Sequence, residues 1–170
     1  MNVTLIGMAG AGKSHIGKRL AGYLDLKFLD IDTVMEEERG KPLEEILEEM
    51  GDEEFMRAEA HAIISATKGK DGLVFSPGGS AVYEDDAMRH LRDNSTIVYL
   101  KVPFEVIQKR IGGTKARMGR LVGLGKKTFR ELYDERHPLY ERYAHLTIDT
   151  EKLSAEGIIA AVSDFLNSRR

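Results

Sequence analysis

The sequence predicts an α/β fold, with a five-stranded parallel sheet and helices on both of its faces. Three observations carry this expectation. Short apolar runs alternate with stretches of helical period along the chain. At 170 residues the chain has the size of one ordinary domain and can bury a real core. The segments after three of the predicted strands, 7–14, 30–32 and 77–80, carry glycines, acids and small polar residues. In open parallel sheets, ligands sit beyond the carboxyl ends of the strands.

The elements follow in order. "VTLIG" (3–7) is a short apolar run closed by glycine, which suits a buried strand. From Lys13 to Leu24, the residues Ile16, Leu20, Ala21 and Leu24 fall on one helical face. "KFLDID" (27–32) reads as a second strand ending in acids. Pro42 opens a helical stretch whose first turns are crowded with glutamates, where they favour the helix dipole. A further helix is expected over 53–67. "GLVFS" (72–76) is a third strand, then a helix over 85–92, then "TIVYLKV" (96–102) as a fourth strand. "PFEVIQKRI" (103–111) begins a helix with proline. The glycine-rich, basic stretch 112–127 has no clear period and reads as a mobile loop or lid, placed over 112–125. A helix over 128–144 is expected to bend or break at Pro138. "LTID" (146–149) and a closing helix over 155–166 complete a single domain spanning 1–170.

Composition excludes several classes. The formal net charge is -3, so no basic excess advertises nucleic acid or an anionic membrane. There is no cysteine, which removes disulfides, thiolate metal sites and cysteine nucleophiles. No apolar run approaches the roughly 18 residues of a membrane span, and "MNVTLIG" lacks the form of a signal peptide. A cytoplasmic protein, acting as a monomer on a small molecule, is expected. The five histidines are scattered without metal-ligand spacing and read as structural or surface residues.

The stretch "GMAGAGKS" (7–14) fits G-x-x-x-x-G-K-[ST], with a strand before it and an amphipathic helix after it. Glycines let such a loop turn its N–H groups inward, and the helix N-terminus adds to an anion site. Gly10, Ala11, Gly12 and His15 are therefore candidate phosphate contacts, with Lys13 reaching the outer phosphates and Ser14 placing its hydroxyl on Mg²⁺. The ligand implied is a nucleoside triphosphate, ATP with Mg²⁺. No [NT]-K-x-D motif marks a GTPase. The third strand ends without the acid expected of a motor ATPase. The acids, Asp30 and Asp32, end the second strand instead.

With these residues in place, the sequence resembles the shikimate kinase family. The resemblance rests on "GMAGAGKS", "FLDID", "GDEEFMRAE" (51–59), "SPGGSAV" (76–82), "GGTKAR" (112–117) and "ERHPLYERYA" (135–144). It implies a three-layer P-loop kinase sandwich with acceptor-binding helices over about 32–67 and transfer of phosphate from ATP to a hydroxyl of shikimate. By the same resemblance, Asp32 contacts the acceptor hydroxyl, a role for which a carboxylate facing the γ-phosphate is suited. Asp30 holds Mg²⁺ with Ser14. Gly78 and Gly79 approach the substrate, Arg136 grips its carboxylate, Arg117 closes over the transferred phosphate, and Arg110 lies on the helix entering the lid.

Three positions depart from the family pattern. Aligning Gly51, Phe55 and Glu59 puts Met56 where the family has a second carboxylate-binding arginine. Arg57 is next in sequence but about 100° around the helix. Ser80 replaces a third glycine, and Met118-Gly119-Arg120 replaces Pro-Leu-Leu. Met56 and Arg57 are therefore candidate substrate contacts, and Arg57 or Arg120 a compensating cation. Alternative readings are a kinase for another small hydroxylated metabolite, a nucleoside-monophosphate kinase, and a nucleotide-binding protein without catalysis.

Overall fold

The computed structural model describes residues 1–111, 121–125 and 127–169. Five strands, β1 (Val3–Ile6), β2 (Lys27–Asp30), β3 (Leu73–Ser76), β4 (Thr96–Lys101) and β5 (Leu146–Asp149), form one sheet in the order β2-β3-β1-β4-β5. Every neighbouring pair is parallel. The described helices are α1 (Lys13–Leu24), α2 (Ile31–Arg39), α3 (Leu43–Thr67), α4 (Asp85–Asn94), α5 (Phe104–Ile111), α6 (Phe129–Tyr143) and α7 (Ala155–Ser168).

Successive strand residues point to opposite faces of a sheet, and the core divides accordingly. Val3, Leu5, Val74, Val98 and Leu100 pack on one face with Ile16 and Leu20 of α1 and Ile159 and Val162 of α7. Ile6, Phe75, Ile97 and Tyr99 pack on the other face with apolar residues of α2 to α6. Both faces are covered, which is why these strands read as continuous apolar runs rather than alternating ones. Each large apolar side chain buried here contributes about 1.5–3 kcal/mol.

The chain path places a crevice. β1 leads through α1 to edge strand β2, returns in β3 beside β1, and then crosses to β4 on the far side. α1 and α4 lie on opposite faces. The loops after β1 and β3 therefore part, leaving a binding crevice at the carboxyl edge.

Three elements differ from the sequence expectation. β2 ends at Asp30 rather than at 32, because the Asp30 side chain accepts from Asp32 N–H (3.2 Å) and caps α2. The helices expected on either side of Gly51 run together as α3, with Gly51 as a non-helical kink at φ 74° and ψ 169°. Pro138 does not break α6, which continues through it. Pro138 is exposed, while Leu132, Tyr133, Arg136, Tyr140 and Tyr143 of the same helix are buried and anchor it on both sides. A capping box at Thr128 and Glu131 fixes its start.

Candidate active site

The loop after β1 is shaped by glycine. A Cβ on Gly7 would fall 2.9 Å from the Leu100 carbonyl oxygen, so β1 can leave the sheet there only without a side chain. Gly10 and Gly12 take left-handed φ values of 80° and 91°. No side chain caps α1 at Gly12, which leaves its first N–H groups for a ligand. Lys13 Nζ donates to the Gly7 and Met8 carbonyls (2.8 and 3.1 Å), which lays the ammonium across the loop. Burial pulls its pKa down, against the opposing pull of Asp32 and Asp30.

At the end of β2, Asp30 uses both oxygens. One caps α2, and the other accepts from Ser14 Oγ at 2.6 Å. A hydroxyl and a carboxylate side by side beneath a phosphate loop are hard oxygen donors. They fit Mg²⁺, which takes few protein ligands and completes its shell with phosphate and water. Among the described residues there is no cluster of three His, Asp or Glu that could hold a metal by itself. Asp32 lies in the first turn of α2. Burial pushes its pKa up to about 7, the Glu59 and Asp30 carboxylates add to the rise, and Lys13 opposes it.

The other end of the crevice is built by α3, the loop after β3, and α6. Glu59 is buried and accepts from Ser80 Oγ (2.6 Å). Burial raises its pKa, against the Ser80 hydrogen bond and the charge of Arg136. A Cβ on Gly79 would lie 3.0 Å from an Arg136 guanidinium nitrogen and 3.4 Å from Ala9 N, so this loop is wedged between the phosphate loop and α6. Tyr140 Oη donates to the Gly79 carbonyl (2.7 Å) and holds it there. Arg136 is only 1% exposed. Its Nε donates to Tyr83 Oη (3.4 Å), another nitrogen donates to the Val122 carbonyl, and the guanidinium lies over the Tyr83 ring.

These groups line one cavity of about 350 Å³. Lys13, Ser14, Asp30, Asp32, Glu59 and Arg136 supply its charge and polarity, while Leu43, Phe55, Ile111, Leu121 and Val122 supply its apolar wall. Of the residues expected from sequence, Gly10, Gly12, Lys13, Ser14, His15, Asp30, Asp32, Gly78, Gly79, Arg110 and Arg136 meet there. Arg110 also donates to the Gly10 carbonyl (3.0 Å). Three expected residues do not line the cavity. Ala11 is buried, and its N–H closes the loop's own turn on Met8. Met56 is half-buried and packs against the hydrophobic core, and Arg57 is exposed. On a helix the residue after Phe55 is turned about 100° away from it, and Phe55 is the one that faces the cavity. Residues 112–120 of the expected lid, with Arg117 and Arg120, lie outside the described residues, as does residue 126.

Sequence reading passed over Glu59, Ser80 and Tyr140 as site residues. Glu59 did leave a signal: it falls four residues from both Phe55 and Ile63, an acid set in the buried stripe of α3. Tyr140 lies one turn after Arg136 on the same buried face. The histidines outside the cavity serve structure where they are bonded. His145 Nδ1 accepts from Ile97 N–H (2.9 Å), His90 meets Thr67, and His137 meets Tyr99.

Comparison with known proteins gives a consistent picture. The family model "Shikimate kinase" matches residues 9–167. A shikimate kinase of Caldanaerobacter subterraneus subsp. tengcongensis is 36% identical over 161 residues, covering 95% of this chain and 93% of its own. One from Persephonella marina is 34% identical over 158 residues, covering 93% and 94%. Among solved structures, shikimate kinase from Acinetobacter baumannii in complex with shikimate aligns with a TM-score of 0.86 at 30% identity, covering 99% of this chain and 94% of that one.

Proposed function

The chain belongs to the shikimate kinase family, and from that premise we propose that it transfers the γ-phosphoryl group of ATP to the 3-hydroxyl of shikimate, giving shikimate 3-phosphate and ADP. The observation that carries this reading is the shared cavity: Lys13 and Ser14 at one end, Asp32 and Arg136 at the other.

Each residue then has a chemical task. The loop N–H groups and Lys13 bind the phosphates, which requires Lys13 to leave the carbonyls of Gly7 and Met8. Ser14 and Asp30 would hold Mg²⁺, which when bound neutralises charge on the phosphate oxygens. Asp32 orients the acceptor hydroxyl and takes its proton. A pKa of about 7 suits that work near neutral pH, because the base is then half available and still basic. Arg136 presents two donors to the acceptor carboxylate, a geometry that fixes orientation as well as charge. The apolar wall of Leu43, Phe55, Leu121 and Val122 keeps water away from the transferring group. The role given to Arg117, cationic stabilisation of the transferred phosphate, belongs to the same reading, as does a monomeric, cytoplasmic enzyme. No described helix is long and apolar enough to cross a membrane.

ADP release, measured with a panel of shikimate, other hydroxy acids, polyols and nucleoside monophosphates, tests the proposal. Shikimate is expected to give the highest kcat/KM. Faster turnover of a nucleoside monophosphate, or ADP release indifferent to every acceptor, would overturn it.

A further inference from the structure

Tyr83 does not line the cavity, yet it holds a residue that does. It ends the short helical turn after β3 (Gly79–Tyr83) and is half-buried. Its hydroxyl donates to Glu135 Oε1 and accepts from Arg136 Nε (3.4 Å). Its ring lies against the Arg136 guanidinium, whose central carbon is 5.3 Å from the ring centre. Glu135 and Arg136 are consecutive in α6, so one phenol ties down both.

The two hydrogen bonds can run in one direction only. A guanidinium nitrogen donates and an ionised carboxylate accepts, so the phenol takes a bond from Arg136 and gives its own proton to Glu135. Lys127 Nζ donates to the other oxygen, Glu135 Oε2 (2.7 Å). The bonds from Lys127 and Tyr83 hold the Glu135 pKa below its ordinary value, and Glu135 stays ionised. Burial and the bond to Glu135 hold the Tyr83 pKa above its ordinary value, and Tyr83 stays protonated.

The nitrogen that Tyr83 takes is informative. A carboxylate meeting the end of a guanidinium fork uses the two outer nitrogens, and Tyr83 occupies the inner one. The ring sets the plane of the guanidinium, and the bond to Nε sets its rotation within that plane. The hydrogen-bond partners of Arg136 among the described residues, Tyr83, the Val122 carbonyl and Tyr140, are all uncharged. A carboxylate in the place of Tyr83 would neutralise this buried cation and compete with an anionic ligand. A phenol orients it without competing.

We propose that Tyr83 is a positioning residue for the acceptor: by holding Nε and one face of the guanidinium, it aims the outer nitrogens of Arg136 at the acceptor carboxylate. Glu135, paired with Lys127, holds Tyr83 in turn. The proposal rests on the kinase reading of the cavity, in which Arg136 takes that carboxylate.

The test is a double-mutant cycle. Tyr83→Phe keeps the ring and removes both hydrogen bonds. Arg136→Lys keeps the charge and has no inner N–H. With Arg136 intact, Tyr83→Phe is expected to raise the KM for shikimate by about two- to tenfold, the range for one intramolecular hydrogen bond. The kcat and the KM for ATP should change little. Tyr83→Leu, which also removes the ring, should raise the KM for shikimate further. In the Arg136→Lys background, neither Tyr83 variant should lower kcat/KM for shikimate again. An unchanged KM for shikimate in Tyr83→Phe and Tyr83→Leu would overturn the proposal. So would an equal loss in both backgrounds, which a merely structural tyrosine would give, or a loss confined to kcat or to the KM for ATP. Thermal melts identify a variant that fails to fold, and either Tyr83 variant suffices for the cycle. If wild type turns over another panel member and not shikimate, the shikimate reading falls by itself, and the cycle is run with that acceptor. A loss that disappears with Arg136→Lys then supports the role of Tyr83, and an equal loss in both backgrounds, or none, overturns it.

Discussion

At the nucleotide end of the cavity, the binding groups come from one continuous stretch, 7–14, and many of them are backbone N–H groups. At the other end the lining side chains come from four separate places: Asp32 in α2, Glu59 in α3, Ser80 after β3 and Arg136 in α6. The two ends are also satisfied differently. Lys13 and Ser14 already have partners in the loop carbonyls and Asp30, and on the proposed reading they would exchange these for a ligand. At the acceptor end the partners come from distant elements: Ser80 Oγ donates to Glu59, and Arg136 donates to Tyr83 Oη. A site made of backbone is fixed by chain geometry and tolerates many phosphate ligands. A site made of buried, separately supported side chains has its selectivity written into each support.

If the two ends are separable in this way, mutations should divide by which ligand they affect. The largest effect is expected for Lys13→Ala. Turnover should fall by about 10³–10⁵, the range for a cation that stabilises a transferring phosphoryl group, while shikimate binding measured by calorimetry stays at the wild-type value. A loss of shikimate affinity of the same size would show that the ends are not separable. Asp32→Asn should come next, lowering kcat by roughly 10²–10⁴ with the KM for ATP little changed. Wild-type kcat/KM for the acceptor should rise with pH through about 7, as Asp32 loses its proton, and this limb should vanish in the variant. Arg136→Lys should raise the KM for shikimate by roughly ten- to a hundredfold, because an ammonium cannot make the paired contact, and leave the KM for ATP alone.

Stability gives a smaller test. Asp32 has a folded pKa of about 7, above that of the unfolded chain. The folded state therefore binds the proton more tightly. The associated stability is full below about pH 4 and declines as pH rises towards 7. Wild type should lose melting temperature over that window relative to Asp32→Asn, whose side chain does not titrate. The opposite slope would mean that Asp32 is ion-paired rather than desolvated. The smallest effect is expected at position 56. Met56 packs against the core and does not line the cavity, so Met56→Arg should change the KM for shikimate by no more than about twofold, as for substitutions away from the site. A tenfold fall in KM would place that side chain in the pocket after all and blur the contrast between the two ends.

The same contrast explains what could be read from sequence. The sheet was legible because strands covered on both faces leave continuous apolar runs, as "TIVYL" does in β4. Lys13 and Ser14 could be read directly because a phosphate loop is local and its spacing is set by backbone geometry, whereas the role of Asp30 came through resemblance. Asp32 and Arg136 came through resemblance, since nothing local distinguishes Arg136 from a solvated helix charge. For Met56, alignment gives position along α3, not the direction a side chain takes from it, and it is Phe55 that lines the cavity. The unbroken α6 was missed for a related reason. Its buried face, from Leu132 to Tyr143, outweighs the hydrogen bond that Pro138 removes, and that burial is a tertiary fact.

Asp30 has a further consequence. Its two oxygens are assigned separately, Oδ1 to the first turn of α2 and Oδ2 to the Ser14 hydroxyl. On the reading proposed above, loading or unloading an ion at Ser14 would disturb only the second contact. The first continues to pin the start of the helix that carries Asp32. On that reading the enzyme could empty and refill its nucleotide end in every cycle while the proposed base, Asp32, keeps its aim, so a part that must be replaced each turn would be mechanically insulated from one that must never move.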